Sequence, residues 1–165
     1  MIVNRLPWTP KRTLEPDLPT VHHGWLPTNL WNTGVVDTIV EEATALGWTT
    51  LIIERAEPRK GTPTSGRVPA GSAEQTLVNL AGAIEARRAQ AQTSSTGRLT
   101  YPDAGRILVI LGAGPSYTHP ALTQLSVFGG SAGIHLVLDD ELADLTATEA
   151  PVLHENITGE VWLDG

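Results

Sequence analysis

The chain has no cysteine, which excludes a disulfide framework, thiolate metal ligands and thiol nucleophiles together. Its only lysines are Lys11 and Lys60. No apolar run approaches the ~18 to 20 residues needed to cross a bilayer, because Thr, Gly, Asp or Glu interrupts every hydrophobic stretch. A membrane role is therefore not expected. The opening MIVNRLPWTPKRTLEP puts its Lys and Arg after the apolar residues and holds no hydrophobic segment of the kind a secretory signal needs. These readings place the chain in the cytoplasm.

Positive charge is missing from one end. Residues 1 to 138 carry 11 basic and 10 acidic side chains, a net +1, whereas residues 139 to 165 carry none and 8, a net −8. The total of −7 therefore lies in the acidic C-terminal portion. A nearly neutral body gives no global electrostatic footprint for nucleic acid, so any DNA contact has to be local.

What is present is the composition of one globular domain: 165 residues, 41% hydrophobic and 18% charged, long enough to bury a sizeable core. Five of the first thirty residues are proline (Pro7, Pro10, Pro16, Pro19, Pro27), and each removes a backbone donor and biases its predecessor away from helix. Residues 1–24 read as an extended Pro-rich lead-in, with one short strand near Val21. Residues 25–165 read as a single α/β domain.

From Gly34, the apolar positions Val35, Val36, Ile39, Val40, Ala43 and Leu46 follow a helical period that Gly47 ends. Thr49 to Ile53 is a short β-rich run and predicts a buried strand. Residues 58 to 71 read as loop. Ser72 and Gln75 have capping-box spacing, and Leu77, Leu80, Ala81, Ile84 and Ala91 stripe one face of a second helix expected to reach Gln92. A loop, TSSTGRLTYPDAG, leads to the aliphatic run Arg106–Leu111, which predicts a strand covered on both faces. A short helix from Thr118, a strand over Ile134–Leu138, an acidic helix over Asp139–Ala147 and a last strand over Glu160–Leu163 follow. This order of elements predicts an α/β layered fold, a mainly parallel sheet flanked by helices.

In open parallel sheets ligands bind beyond the carboxyl ends of strands, which directs attention to the residues after Ile53, Leu111 and Leu138. After Leu111 stands GAGPS. Its Gly112 and Gly114, with Asp139 as a ribose-binding acid, partly match a dinucleotide loop, but Tyr117 occupies the third glycine position and Pro115 removes a donor. Arg55, Arg59, Lys60 and Arg67 cluster after a strand and are candidates for DNA or partner contact, interleaved with Glu54 and Glu57. His22 and His23 are adjacent and would face opposite sides of a strand, so no metal site is expected. Ser131 in GGSAG has the letters of a nucleophile elbow but lies between a helix and a strand, the reverse of what an elbow requires. His135 reads as a hydrogen-bonded structural histidine, and Asp139 with Asp140 as caps of the following helix. Trp25, Trp31 and Trp48 read as core or interface residues.

Gly133–Leu138 (GIHLVL), the segment ENITGEVWL and the helix TLVNLAGAIEARRAQ together resemble the RecA-like motor core of the FtsK/SpoIIIE family of DNA translocases, over roughly Trp25 to Leu163. In that family a strand close to GIHLVLATQ follows the Walker B strand. The resemblance implies a RecA-like P-loop NTPase fold, but without a functional P-loop. A P-loop requires G-x-x-x-x-G-K-S/T, whereas TNLWNTGVVD, before the first helix, holds Asn32, Thr33 and Gly34 and no lysine. Gly112 and Ala113 stand where the Walker B carboxylates belong, and Asp139 and Asp140 replace the glutamine-bearing strand end. The expectation is therefore a non-catalytic scaffold or accessory partner in a DNA translocation or transfer system. It would have no catalytic residue, cofactor or metal and would bind a protein partner or itself. A Rossmann-like nucleotide or dinucleotide binder built on Gly112, Gly114 and Asp139 is the alternative.

Overall fold

The computed structural model describes residues 23–31, 34–45, 47–53, 67–68, 70–89, 92–93, 99–100, 106–112, 118–130 and 132–160. Two aliphatic runs set its centre: β6 (Ile107–Leu111) and β7 (Ile134–Asp139) pair in parallel along their length, Ile107 opposite Ile134 and Leu111 opposite Leu138. β2 (Thr49–Ile53) flanks β6, and β1 (Gly24–Leu26) flanks β7. β3 (Arg67–Val68) and β8 (Gly159–Glu160) close the edges. The six-stranded order is β3-β2-β6-β7-β1-β8, and every pairing is parallel. The expected layered α/β class is observed, with helices on both faces.

Alternation along each strand divides the apolar residues between two cores. Leu108, Ile110, Ile52, Val137 and Leu26 meet Val35, Val36, Ile39 and Ala43 of α1 (Val35–Ala45). Val109, Leu111, Ile53, Leu136 and Leu138 meet Leu77, Leu80, Ala81 and Ile84 of α2 (Ala73–Ala89). The second core also takes Leu122 of α3 (Pro120–Gln124), Leu142, and Leu153 of α5 (Pro151–Asn156), which follows α4 (Ala143–Glu149). Fully burying a leucine or isoleucine contributes roughly 1.5 to 3 kcal/mol, so these two layers dominate the stability.

Local chemistry fixes the helix ends. Gly47, at φ +79°, donates to the Thr44 carbonyl at 2.9 Å while Trp48 N–H reaches the Ala43 carbonyl at 3.0 Å. This pair of bonds is a Schellman stop, with glycine in the left-handed position that side chains avoid. His119 caps α3, its Nδ1 accepting from the Ala121 amide at 3.1 Å, with Pro120 in the first turn. α3 continues into one π-helical turn, Leu125–Gly129.

Several local expectations are corrected. The Ser72–Gln75 capping box does not form: a 3₁₀ turn over Ala70–Ser72 already leads into α2, and the Gln75 amide donates to Asn79 Oδ1 at 2.9 Å. α2 ends at Ala89, and Gln92–Thr93 instead forms β4, antiparallel to β5 (Leu99–Thr100), within the stretch expected to be loop. Arg67 lies in β3, not in a loop. Among the described residues the first strand is β1; Val21, where a strand was expected, falls outside them, as do Ala91 and 161–163. The acidic helix is a 3₁₀ turn over Asp140–Leu142 followed by α4, and α5 was not anticipated.

Candidate functional site

The connections leaving β1 and β7 diverge. From β1 the chain runs over the α1 face, past β7 and β6, to β2; from β7 it runs over the opposite face, past β1, to β8. Parallel crossovers are right-handed, so opposite directions require opposite faces. Where neighbouring strands send their connections to opposite faces, a crevice opens between their carboxyl ends, and open α/β sheets hold ligands there.

Three side chains meet at that crevice. Thr28 opens the turn after β1 and Pro27; its Oγ1 lies 2.5 Å from Asp139 Oδ1 and 2.8 Å from Asp140 Oδ1, and its backbone N–H donates to Asp140 Oδ1 at 2.9 Å. Asp139, the last residue of β7, is fully buried and also accepts the Glu141 N–H at 3.0 Å, capping the 3₁₀ turn. The expected capping role therefore falls to Asp139, while Asp140 turns toward the β1 loop. One hydroxyl proton serves two carboxylates. Thr28 thus ties the ends of two strands together and brings two carboxyl groups to the crevice.

Those two carboxyl groups bear on what the crevice tolerates. At about 4 Å and an effective dielectric of about 20, a phosphate oxygen and a carboxylate repel by about 4 kcal/mol, and TNLWNTG supplies no lysine to offset it. The turn's amide at Thr28, placed to serve an incoming anion, is already taken by Asp140. Asn32 and Thr33 lie outside the described residues; Gly34 takes φ +84° just before α1.

Of the residues singled out for a dinucleotide loop, Gly112 follows β6 and commits its N–H to the Ile53 carbonyl at 3.0 Å, extending the ladder instead of facing a ligand. Asp139 faces Thr28, and Gly114 lies outside the described residues. Arg55, Arg59 and Lys60 also lie outside them, while Arg67 sits on edge strand β3. Ser131 and His22 lie outside them too. Among the described residues, no group of three or more His, Asp or Glu side chains is arranged to hold a metal, and no helix is long and apolar enough to cross a membrane.

The histidines form a separate framework. Buried His23 accepts the Leu136 N–H at Nδ1 (3.0 Å), so its proton sits on Nε2, 3.1 Å from the Ser126 carbonyl of the π-helical turn. It links β1's lead, β7 and α3's extension. His135, buried in β7, accepts from Arg106 Nη1 at 3.0 Å and stacks on Trp48 at 5.2 Å, the structural role expected of it. Trp31 is buried in the α1-side core and Trp48 packs against it, while Trp25 packs on the other core and lies 5.7 Å from the His154 ring.

The Thr28 cluster was not foreseen, because placing the first strand at Val21 hid the strand end at Leu26. The signal available was strand-like GWL followed by Pro-Thr-Asn and then a helix, the strand–turn–helix order of a crevice loop. No protein-family model matches the chain, and no curated protein or solved structure shows a significant likeness to it.

Proposed function

We propose that this chain is a non-catalytic, RecA-like domain of the FtsK/SpoIIIE kind, a pseudo-ATPase that serves as scaffold or accessory partner in a DNA translocation or transfer system. The observation that carries the reading is the Thr28–Asp139–Asp140 clamp: the crevice loop is closed internally by carboxylates where a motor would grip a phosphate. Phosphoryl transfer needs positive charge and a metal around the transferred group, whereas the loop after β1 has no lysine and meets two carboxyl groups. The strand order supports the same reading. The segments matched to P-loop, Walker B and the GIHLVL strand end follow β1, β6 and β7, which lie side by side with parallel carboxyl ends, as parts of one shared site must.

Isothermal titration of the full chain with ATP and magnesium tests it. The expected result is no heat of binding at high micromolar nucleotide and no phosphate release. Micromolar binding, or a nucleotide with an ordered divalent ion beside Thr28, would overturn it. Titration with NAD and FAD addresses the dinucleotide alternative, which the committed N–H of Gly112 disfavours.

A further inference from the structure

The two faces of the sheet are finished differently. Every large apolar side chain exposed among the described residues lies on the helical layer over the second core: Val78 on α2, Val127 and Phe128 on the π-helical turn, Leu145 on α4 and Val152 on α5, each between 41% and 48% exposed. α1, on the other face, exposes none. The helices of the layer form one row. α2 packs against α3 and its π-helical extension, the extension packs against α5, and α5 packs against α4. Val78, Gly82 and Glu85 share one side of α2 by their spacing, and Glu85 accepts from the Gln124 side-chain amide at 3.4 Å, so Val78 stands on the side toward α3. A lone exposed valine needs no explanation; a whole row of them on one layer marks a contact face.

Charge changes sign along the row. Arg87 and Arg88 end α2, whose Glu74 lies at its far end. Arg88 is exposed and lies 5.0 Å over the Phe128 ring, and its ion pair with Glu85, at 3.9 Å between two exposed side chains, is weak. Residues 120–129, the middle of the row, carry no charged side chain. At the other end α4 and α5 bear Asp144, Glu149 and Glu155, all exposed, and neither lysine nor arginine. Arg88 and Glu155 also share the amino edge of the sheet: Arg87 donates to the Ala132 carbonyl in the turn before β7, and α5 ends just before β8.

We propose that this layer is the interface of a homodimer, in which the basic end of each copy covers the acidic end of the other. A face with both signs on either side of an apolar, uncharged middle is self-complementary under a two-fold rotation. With the axis along the strand direction through that middle, the amino edges of the two copies coincide and Arg88 of one copy meets Glu155 of its partner. A different protein would have to reproduce both signs in the same order; a second copy does so by symmetry. The inference does not depend on the motor-core reading, since nucleotide titration tests that one and hydrodynamics this one.

Sedimentation velocity of the full chain over a range of micromolar concentrations is the experiment. The expected result is a monomer–dimer equilibrium that grows no further, because an isologous contact closes on itself. Val127→Asp places two carboxylates near the axis and should raise the dissociation constant about tenfold or more, whereas Thr38→Asp, on the exposed side of α1, should leave it unchanged. Arg88→Glu and Glu155→Arg each enter the interface twice and should each weaken the dimer about tenfold. An equimolar mixture of the two should recover the wild-type affinity as a heterodimer. Arg88 and Glu155 are exposed, so this pair keeps the test valid if circular dichroism shows Val127→Asp to be misfolded. A monomer at every concentration, which would assign the face to another segment of this chain or to a different protein, overturns the proposal. Growth beyond the dimer, a dimer indifferent to a folded Val127→Asp, or a mixture no tighter than its two components would each do the same.

Discussion

Replacing Thr28 by valine keeps the shape of the side chain and the backbone N–H bond to Asp140, and removes only the hydroxyl that stands 2.5 and 2.8 Å from two carboxylates. A hydrogen bond to a charged group contributes about 1.5 to 3 kcal/mol. Asp139 is fully buried and retains the Glu141 amide, so the loss should sit mid-range, about 2 kcal/mol. For a chain of 165 residues that lowers the melting temperature by about 4 to 8 °C, at roughly 2 to 4 °C per kcal/mol. Thr28→Ser retains the hydroxyl and should recover most of the difference. Urea unfolding followed by tryptophan fluorescence supplies the free energies, and a thermal melt supplies the shift in melting temperature. A double-mutant cycle with Asp140→Asn isolates the pair, and the coupling should reach 0.5 kcal/mol or more. If Thr28→Val melts with the wild type, or if serine is as damaging as valine, the clamp does not hold the strand ends and the argument for a closed crevice fails.

Replacing His23 with phenylalanine strands the buried Leu136 N–H and its Ser126 carbonyl partner, and should cost about 3 kcal/mol or more in urea unfolding. Gly82→Ala, in mid-helix with no atom within 4 Å of the new methyl, should stabilise by roughly 0.5 to 1 kcal/mol in the same assay. Gly129→Ala should do the reverse, since its methyl would stand 3.0 Å from the Ile134 backbone carbonyl; a neutral thermal melt would contradict that geometry. Leu122→Ala, at a fully buried core position, should cost about 2 to 5 kcal/mol.

The elements legible in the sequence are those whose signal is carried by their own residues. The runs at Thr49–Ile53 and Ile107–Leu111 had to be strands, because each presents apolar side chains to both sheet faces. α1 was legible through its stripe and Gly47. What escaped was determined by partners far along the chain. β1 is only three residues long and is held as a strand by register with β7 and β8, and β3 exists because Ile52 and Ile53 offer it a ladder. Gln75 had the spacing of a capping box but a nearer partner in Asn79, one turn on. The candidate site was half legible: Asp139 and Asp140 were marked by their strand, whereas Thr28 could be recognised only once β1 was placed beside them.

That placement constrains how the molecule is made. Gly24 faces Val137 on one side and Gly159 on the other, so when β1 leaves the ribosome neither of its neighbours has yet been synthesised. Contacts spanning such separations close slowly. β1 must wait through translation of more than a hundred residues, and a nascent chain halted before Ile134 holds an unmatched GWL that a chaperone or a second copy would reach first.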